Sequence, residues 1–230
     1  MLFFRRYLPL FFIIFLCIPF VPTHAKEQPI EIQNNLSNLK GYAENMVDAA
    51  LVHDAKELHK TNIQILQSIK ILHNKLDKQA FNEKRSRELV MLYAWMRIIS
   101  IDINQQTWLG VAIAANQLNA SIIQFINYSN LQQRDIAWMD YLSYDLLLLN
   151  MESPKDNAEL LRVRHTNLKN TWNRISQELI HNFHNKPTVI EGNQLMLDFE
   201  KAKNAKQTIH SIKKILIFVD KIKLLARSHK

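Results

Sequence analysis

The sequence predicts an all-α protein, a bundle of about six to eight mostly long antiparallel helices preceded by a cleaved signal peptide. Apolar residues recur at steps of three and four along most of the chain, which is the spacing of one face of an α-helix. Only three glycines and six prolines occur in 230 residues, so turns and helix breaks are few. The scarcity of glycine also disfavours phosphate-binding glycine loops and many-turned β architectures.

The first 25 residues have the layout of a secretory signal peptide. Arg5 and Arg6 supply a positive start, and the apolar stretch 8–20 is short for a bilayer-spanning helix, which needs about 20 residues. Thr23 and Ala25 place small residues at the third and first positions before a cut after Ala25. We therefore expect a periplasmic or secreted protein. The alternative is an uncleaved N-terminal segment that anchors the chain in the membrane.

Cleavage after Ala25 changes the chemistry of the chain. Cys17 is the single cysteine, so the mature chain would have none, which excludes disulfides, thiolate metal sites and a cysteine nucleophile. Lys and Arg fall from 29 to 27 against 21 Asp and Glu, which leaves a net charge of +6. Residues 26–230 are expected to form a single helical-bundle domain.

The first two helices are predicted on either side of His53 and Asp54. Asp54 followed by Glu57 is typical of a capping box, which starts a new helix. The apolar stripe also rotates here, by about 80° on a helix of 3.6 residues per turn. The two stripes are Ile32, Leu36, Leu39, Ala43, Met46 and Ala50, and then Leu58, Asn62, Ile65, Ile69, Leu72 and Leu76.

The next two helices are predicted to form the centre of the bundle. The segment 89–103 is apolar on opposite sides, at Met96 and at Ile98, and a helix that is apolar all round is buried on both sides. The segment 108–126 has the same character, and Gly110 with several alanines would let a neighbouring backbone approach closely.

Three or four further helices follow. The segment 136–149 is strongly apolar, and Ser153 with the proline after it predicts the start of the next helix, because serine is a good N-cap and proline suits the first helical position. Pro187 is expected to end that helix. A short helix is predicted over 189–202, and a last one over about 205–227.

Positive charge is concentrated at the C-terminal end. Residues 201–230 carry nine Lys and Arg and one acid, a net charge of +8, whereas residues 26–200 carry 18 basic and 20 acidic residues. This asymmetry favours association with an anionic membrane surface or an acidic envelope protein. The alternative is a packed amphipathic helix with solvated lysines, and nucleic acid is not an expected partner. The surface-binding candidates are Lys206, Lys213, Lys214 and Lys221.

Residues 101–150 are acidic and rich in leucine and aromatic side chains. Buried carboxylates need partners, and Arg97 and Arg134 are the expected ones because guanidinium binds a carboxylate bidentately. Such pairs form either an internal network that fixes helix register or a polar pocket in an aromatic-lined cleft. The candidate binding residues are Arg97, Asp102, Arg134, Trp138, Asp140 and Tyr141.

Glu178, His181 and His184 are the best metal candidates, since they recur at three-residue steps near one side of a helix. Carboxylate and imidazole suit zinc, copper, nickel or iron. A ferritin-like centre would need a second Glu-x-x-His, which the sequence lacks. His181 also lies about 200° around the helix from Leu179, which places it in water. No cofactor is expected.

The sequence contains none of the common catalytic signatures, such as Gly-x-Ser-x-Gly, a phosphate loop or His-Glu-x-x-His. The leading hypothesis is an exported, periplasmic helical binding or interaction protein without catalytic activity. It would meet an anionic envelope surface or an envelope protein through the basic last helix or a groove beside Trp138 and Tyr141, with at most peripheral membrane contact after cleavage. One alternative is a metal- or haem-binding bundle that uses His and Glu side chains. The other is an enzyme with a polar Arg/Asp site in the bundle centre.

Overall fold

The computed structural model describes residues 29–128, 130–181 and 185–228, which form eight α-helices and no strand. This confirms the all-α class and the upper end of the expected helix number. Residues 1–25, the expected signal peptide, lie outside the described residues. The helices are α1 (Ile30–Leu51), α2 (Ala55–Leu76), α3 (Glu83–Gln105), α4 (Trp108–Phe125), α5 (Leu131–Glu152), α6 (Ala158–His181), α7 (Lys186–Glu200) and α8 (Ala205–Ser228).

The eight helices form two four-helix units. In the first unit, each of α1–α4 packs against its two neighbours, and α4 closes the ring onto α1. In the second unit, α5–α8 repeat this arrangement, and α8 closes onto α5. The units meet through α4 and α5, whose residues enter each other's cores: Leu148 joins the first core, and Ala120 and Ile123 join the second. None of the described helices is both long and apolar enough to cross a bilayer.

Side-chain caps start several of the helices. As predicted, α1 ends and α2 begins around Asp54, whose carboxylate accepts a hydrogen bond from the Glu57 backbone N–H at 3.0 Å. Asn82, Asn130 and Asn185 cap α3, α5 and α7 in the same manner. Each cap satisfies a backbone donor that the first helical turn leaves without a partner.

Two boundaries in the second unit differ from the sequence prediction. The helix expected to begin after Ser153 begins at Ala158, because the Ser153 hydroxyl donates to the Asp156 carboxylate at 2.6 Å and residues 154–157 form a turn. Pro187 was expected only to end α6, but it lies in the first turn of α7. Asn185 caps this helix, and proline is well suited to a first helical turn.

The centre of the molecule is formed by α4 and α5, so the assignment of α3 to the centre was wrong. The second apolar side of α3 faces outwards, with Val90, Met91, Ile98 and Ile101 between 40% and 63% exposed. In contrast, 15 of the 22 residues of α5 are buried. This burial agrees with the strongly apolar sequence of segment 136–149, which was expected in the core together with the two preceding helices.

Gly192 lies where α7 meets Trp172 of α6 and Phe218 of α8. A Cβ atom there would be 2.3 Å from two ring carbons of Trp172 and 2.9 Å from Phe218 Cζ. We expect Gly192→Ala to lower the free energy of unfolding by about 1–3 kcal/mol, measured by urea denaturation. Gly41→Ala is the matched control, since nothing lies within 4 Å, and it should raise stability by about 0.5–1 kcal/mol. An equal increase in the free energy of unfolding of both variants would contradict the close packing of α7 on Trp172.

Candidate functional site

Two buried aspartates of α5 form ion pairs with arginines of α6. Asp135 accepts hydrogen bonds from Arg174 Nε at 2.7 Å and Nη2 at 3.0 Å. Ten residues later, Asp145 pairs with Arg164, with 2.6 Å between Oδ2 and Nε. The two arginines are also ten residues apart, in the opposite order, so the pairs hold the antiparallel register of α5 and α6. Burial raises the pKa of Asp145, against the opposing effect of Arg164.

The third buried aspartate, Asp140, lies where the two units meet. Its Oδ2 is 2.9 Å from Lys223 Nζ of α8, and the same ammonium is 3.8 Å from Glu44 of α1. Glu44 is also paired with Lys40 one turn earlier. Burial raises the pKa of Asp140 to about 7, because the attraction of Lys223 does not compensate for the loss of water and Glu44 adds repulsion.

These pairs correct the expected partners of the aspartates, since neither Arg97 nor Arg134 holds one of them. Arg97 and Asp102 lie on α3, which does not pack against α5. Asp102 instead accepts a hydrogen bond from the Thr107 hydroxyl at 2.9 Å. The structure therefore does not bring Arg97, Asp102, Arg134 and Asp140 into one polar site.

Trp138 and Tyr141, the aromatic part of the same prediction, do lie together. Their rings meet edge to face with centroids 5.4 Å apart. The Tyr141 hydroxyl donates to Gln117 Oε1 at 3.3 Å and accepts from Arg164 Nη2 at 3.1 Å. Burial raises the pKa of Tyr141 to about 12, so the phenol remains a neutral hydrogen-bonding group.

A cleft of about 700 Å³ opens beside Trp138, between the α4–α5 connection, α5 and α6. Four basic side chains line it, from α3, α5 and α6, against one acid, Asp135. Arg134 is among them, so two of the six predicted binding residues, Arg134 and Trp138, share one cleft. The four basic residues are Lys84, Arg134, Arg164 and Arg174.

The remaining wall of the cleft is largely polar. Asn167, Asn170 and Thr171 of α6 line it, and Tyr128 lines it from the connection before α5. The Tyr128 hydroxyl is buried and has no hydrogen-bond partner in the described part of the chain. A buried donor without a partner is costly.

The structure describes two of the three candidate metal ligands. Glu178 is half-buried on α6 and His181 is exposed, whereas His184 lies outside the described residues. Burial, together with the charge of Asp135, raises the pKa of Glu178. Within residues 29–128, 130–181 and 185–228, no group of three His, Cys, Asp or Glu side chains is arranged to hold a metal ion.

The four lysines predicted to bind a surface are all exposed on α8. Lys221 forms an ion pair with Glu191 of α7. In the described part of the chain, Lys206, Lys213 and Lys214 have no ion-pair partner. The opposite side of α8 is apolar and fixed in the second core by Ile212, Ile215, Phe218, Val219 and Ile222.

Sequence reasoning missed Arg164 and Arg174, although one signal was present. The spacing of the two arginines equals that of Asp135 and Asp145, as two antiparallel helices require of two matched pairs. An aromatic-lined cleft was one of the two expectations, but most of the residues that line the observed one were missed, because the α4–α5 connection and α6 are far apart in the sequence and no local pattern encodes their approach.

Comparison of the chain with protein-family models, with curated proteins and with solved structures gives no match.

Because the pKa of Asp140 is raised, the stability of the contact between the two four-helix units should depend on pH. Between about pH 4 and 7 the folded protein keeps a proton on Asp140 that the unfolded chain releases, so the free energy of unfolding falls as the pH rises. The amide in Asp140→Asn cannot titrate, and its stability should fall less than that of the wild type between about pH 5 and pH 7.5. Urea denaturation at both pH values measures the difference.

Glu159→Gln is the control for this comparison, because it removes an exposed carboxylate in a surface pair with Arg162. Its pH dependence should match the wild type. An identical pH dependence in all three proteins would show that Asp140 does not titrate in this range.

Proposed function

We propose that the protein is an exported, periplasmic binding protein without catalytic activity, which associates peripherally with an anionic lipid surface through the outward face of α8. One observation carries the proposal: lysines without ion-pair partners stand beside large apolar side chains that point into solvent. Ile217 is 72% exposed and Leu224 is 64% exposed, and Lys213 and Lys214 lie one turn before Ile217.

This combination suits a membrane interface better than water. Lysines are attracted to anionic headgroups, each by about 1 kcal/mol near the surface. An apolar side chain that enters the headgroup region gains the free energy of leaving water. On α8 the two kinds of residue share one side, because Lys214, Ile217, Lys221 and Leu224 follow each other at steps of three and four.

The neighbouring helix α7 extends the same surface. Ile190 of α7 is 69% exposed, and the ion pair between Glu191 and Lys221 places this part of α7 beside α8. Asp220 is the one acidic residue of α8 and is paired with Lys223 at 3.3 Å. The positive charge of Lys213 and Lys214 therefore remains available to an anionic surface.

The test is binding of the purified protein to vesicles of phosphatidylglycerol and phosphatidylethanolamine, measured by co-sedimentation. The double variant Lys213→Glu/Lys214→Glu should bind at least about tenfold more weakly, because two attractions become repulsions. The control is Lys56→Glu/Lys70→Glu on α2, which reverses two exposed lysines on another helix and should bind like the wild type.

Vesicle binding at different salt concentrations and on different lipids distinguishes two cases. In the first, α8 binds anionic lipid through its charge, and in the second its lysines are only solvated by water. Binding should weaken as salt rises to about 500 mM, since surface attraction is screened, and should disappear on vesicles of neutral phosphatidylcholine. Ile217→Ser should weaken binding without removing its salt dependence. Equal binding by the α8 and α2 double variants would overturn the proposal.

Export is tested separately. If residues 1–25 are a signal peptide, the protein recovered from the envelope fraction of its host should begin at Lys26, as read by mass spectrometry of its N-terminal peptide. Recovery of the intact chain from the cytosol would contradict export. An intact chain in the membrane fraction would support the uncleaved anchor.

A further inference from the structure

We propose that the cleft between α5 and α6 binds a small organic anion, a molecule with a flat apolar body and a carboxylate or phosphate group. None of the residues that line the cleft lies on α8, so the inference is independent of the lipid-binding surface. Three features support it: the exposed guanidinium of Arg134, the presence of Trp138 in the wall, and the volume of about 700 Å³, which is typical of sites for small organic ligands.

Two of the four basic side chains that line the cleft are held by aspartates of α5. Arg174 is held by Asp135, and its guanidinium also donates to Thr171 and to the Asn170 carbonyl. Arg164 is engaged by Asp145 and the Tyr141 hydroxyl. These two arginines are therefore neutralised structural groups that shape the floor of the cleft.

Arg134 is the free cation. It is exposed at the first turns of α5, it lines the cleft, and no side-chain partner holds it in the described part of the chain. Lys84 of α3 lines the same cleft, with its ammonium 3.8 Å from Glu88. A guanidinium binds carboxylate or phosphate with two parallel hydrogen bonds, so Arg134 is the anchor for the anionic group.

The rest of the wall suits the body of such a ligand. The indole of Trp138 offers an apolar surface, and Ile123 and Leu142 lie beside it in the wall. Asn167 of α6 adds an amide that can donate or accept.

The experiment uses three related probes and isothermal titration of the purified protein. 1-Naphthyl phosphate and 1-naphthoate carry the two anionic groups, and 1-naphthol has the same rings without a charge at neutral pH. We expect both anions to bind and 1-naphthol to bind at least about tenfold more weakly, the ratio that corresponds to one charge-assisted hydrogen bond. A preference between the two anions identifies the carboxylate or the phosphate as the group recognised.

Arg134→Gln should weaken binding of both anions by at least about tenfold. Arg97→Gln is the matched control, since Arg97 is also an exposed helical arginine but does not line the cleft. The anions should shift the Trp138 indole N–H signal in NMR spectra of the wild type and of Arg97→Gln. Circular dichroism confirms that both variants remain folded.

Three results would overturn the proposal. They are equal binding of 1-naphthol and the anions, unchanged anion binding in Arg134→Gln, and no binding of any probe at millimolar concentration. Because none of the residues that line the cleft lies on α7 or α8, failure here leaves the lipid-binding proposal intact, and the reverse also holds.

Discussion

The burial of α5 is the constraint on which the arrangement of the other helices depends. Its three aspartates are almost fully removed from water, and an unpaired buried carboxylate would cost several kcal/mol. Each must therefore meet a cation from another helix, and the cations come from α6 and α8. A shift of these helices along their axes would separate the three pairs, so the pairs favour the observed packing over others that would bury the same apolar stripes.

The junction between the units follows from the same constraint. Lys223 of α8 reaches both Asp140 and Glu44, and the Tyr144 hydroxyl of α5 donates to Asp48 of α1 at 2.6 Å. These contacts join α1, α5 and α8, so they tie the last helix to the first. The inward lysine of α8 thus holds the fold together, whereas Lys206, Lys213 and Lys214 have no ion-pair partner in the part of the chain that the structure describes.

Local sequence patterns predicted where the helices lie in the chain, but they did not predict which helices pack against each other. Periodicity and the Asp54 cap located the α1–α2 break, because both signals act within a few residues. We wrongly placed α3 at the centre of the bundle because it has two apolar sides. Its second apolar side would be buried only if another helix packed against it, and a local pattern does not contain that information. The partners of Asp135, Asp140 and Asp145 lie 19 to 83 residues away in sequence, beyond any local rule. Arg134 and Trp138 were expected together in an aromatic-lined cleft, whereas the residues of α6 and of the α4–α5 connection that complete the observed cleft were not.

The difference between paired and unpaired charges also supports the proposal of binding rather than catalysis. A catalytic carboxylate or base needs a perturbed pKa and access to a substrate. Asp140 has the perturbed pKa, but it is only 1% exposed and engaged by Lys223. Arg134, Lys213 and Lys214 have the access, but as permanent cations at neutral pH they attract and orient anions rather than transfer protons. Among these four residues the shifted pKa and the solvent access thus fall on different side chains, which supports the proposal of anion binding.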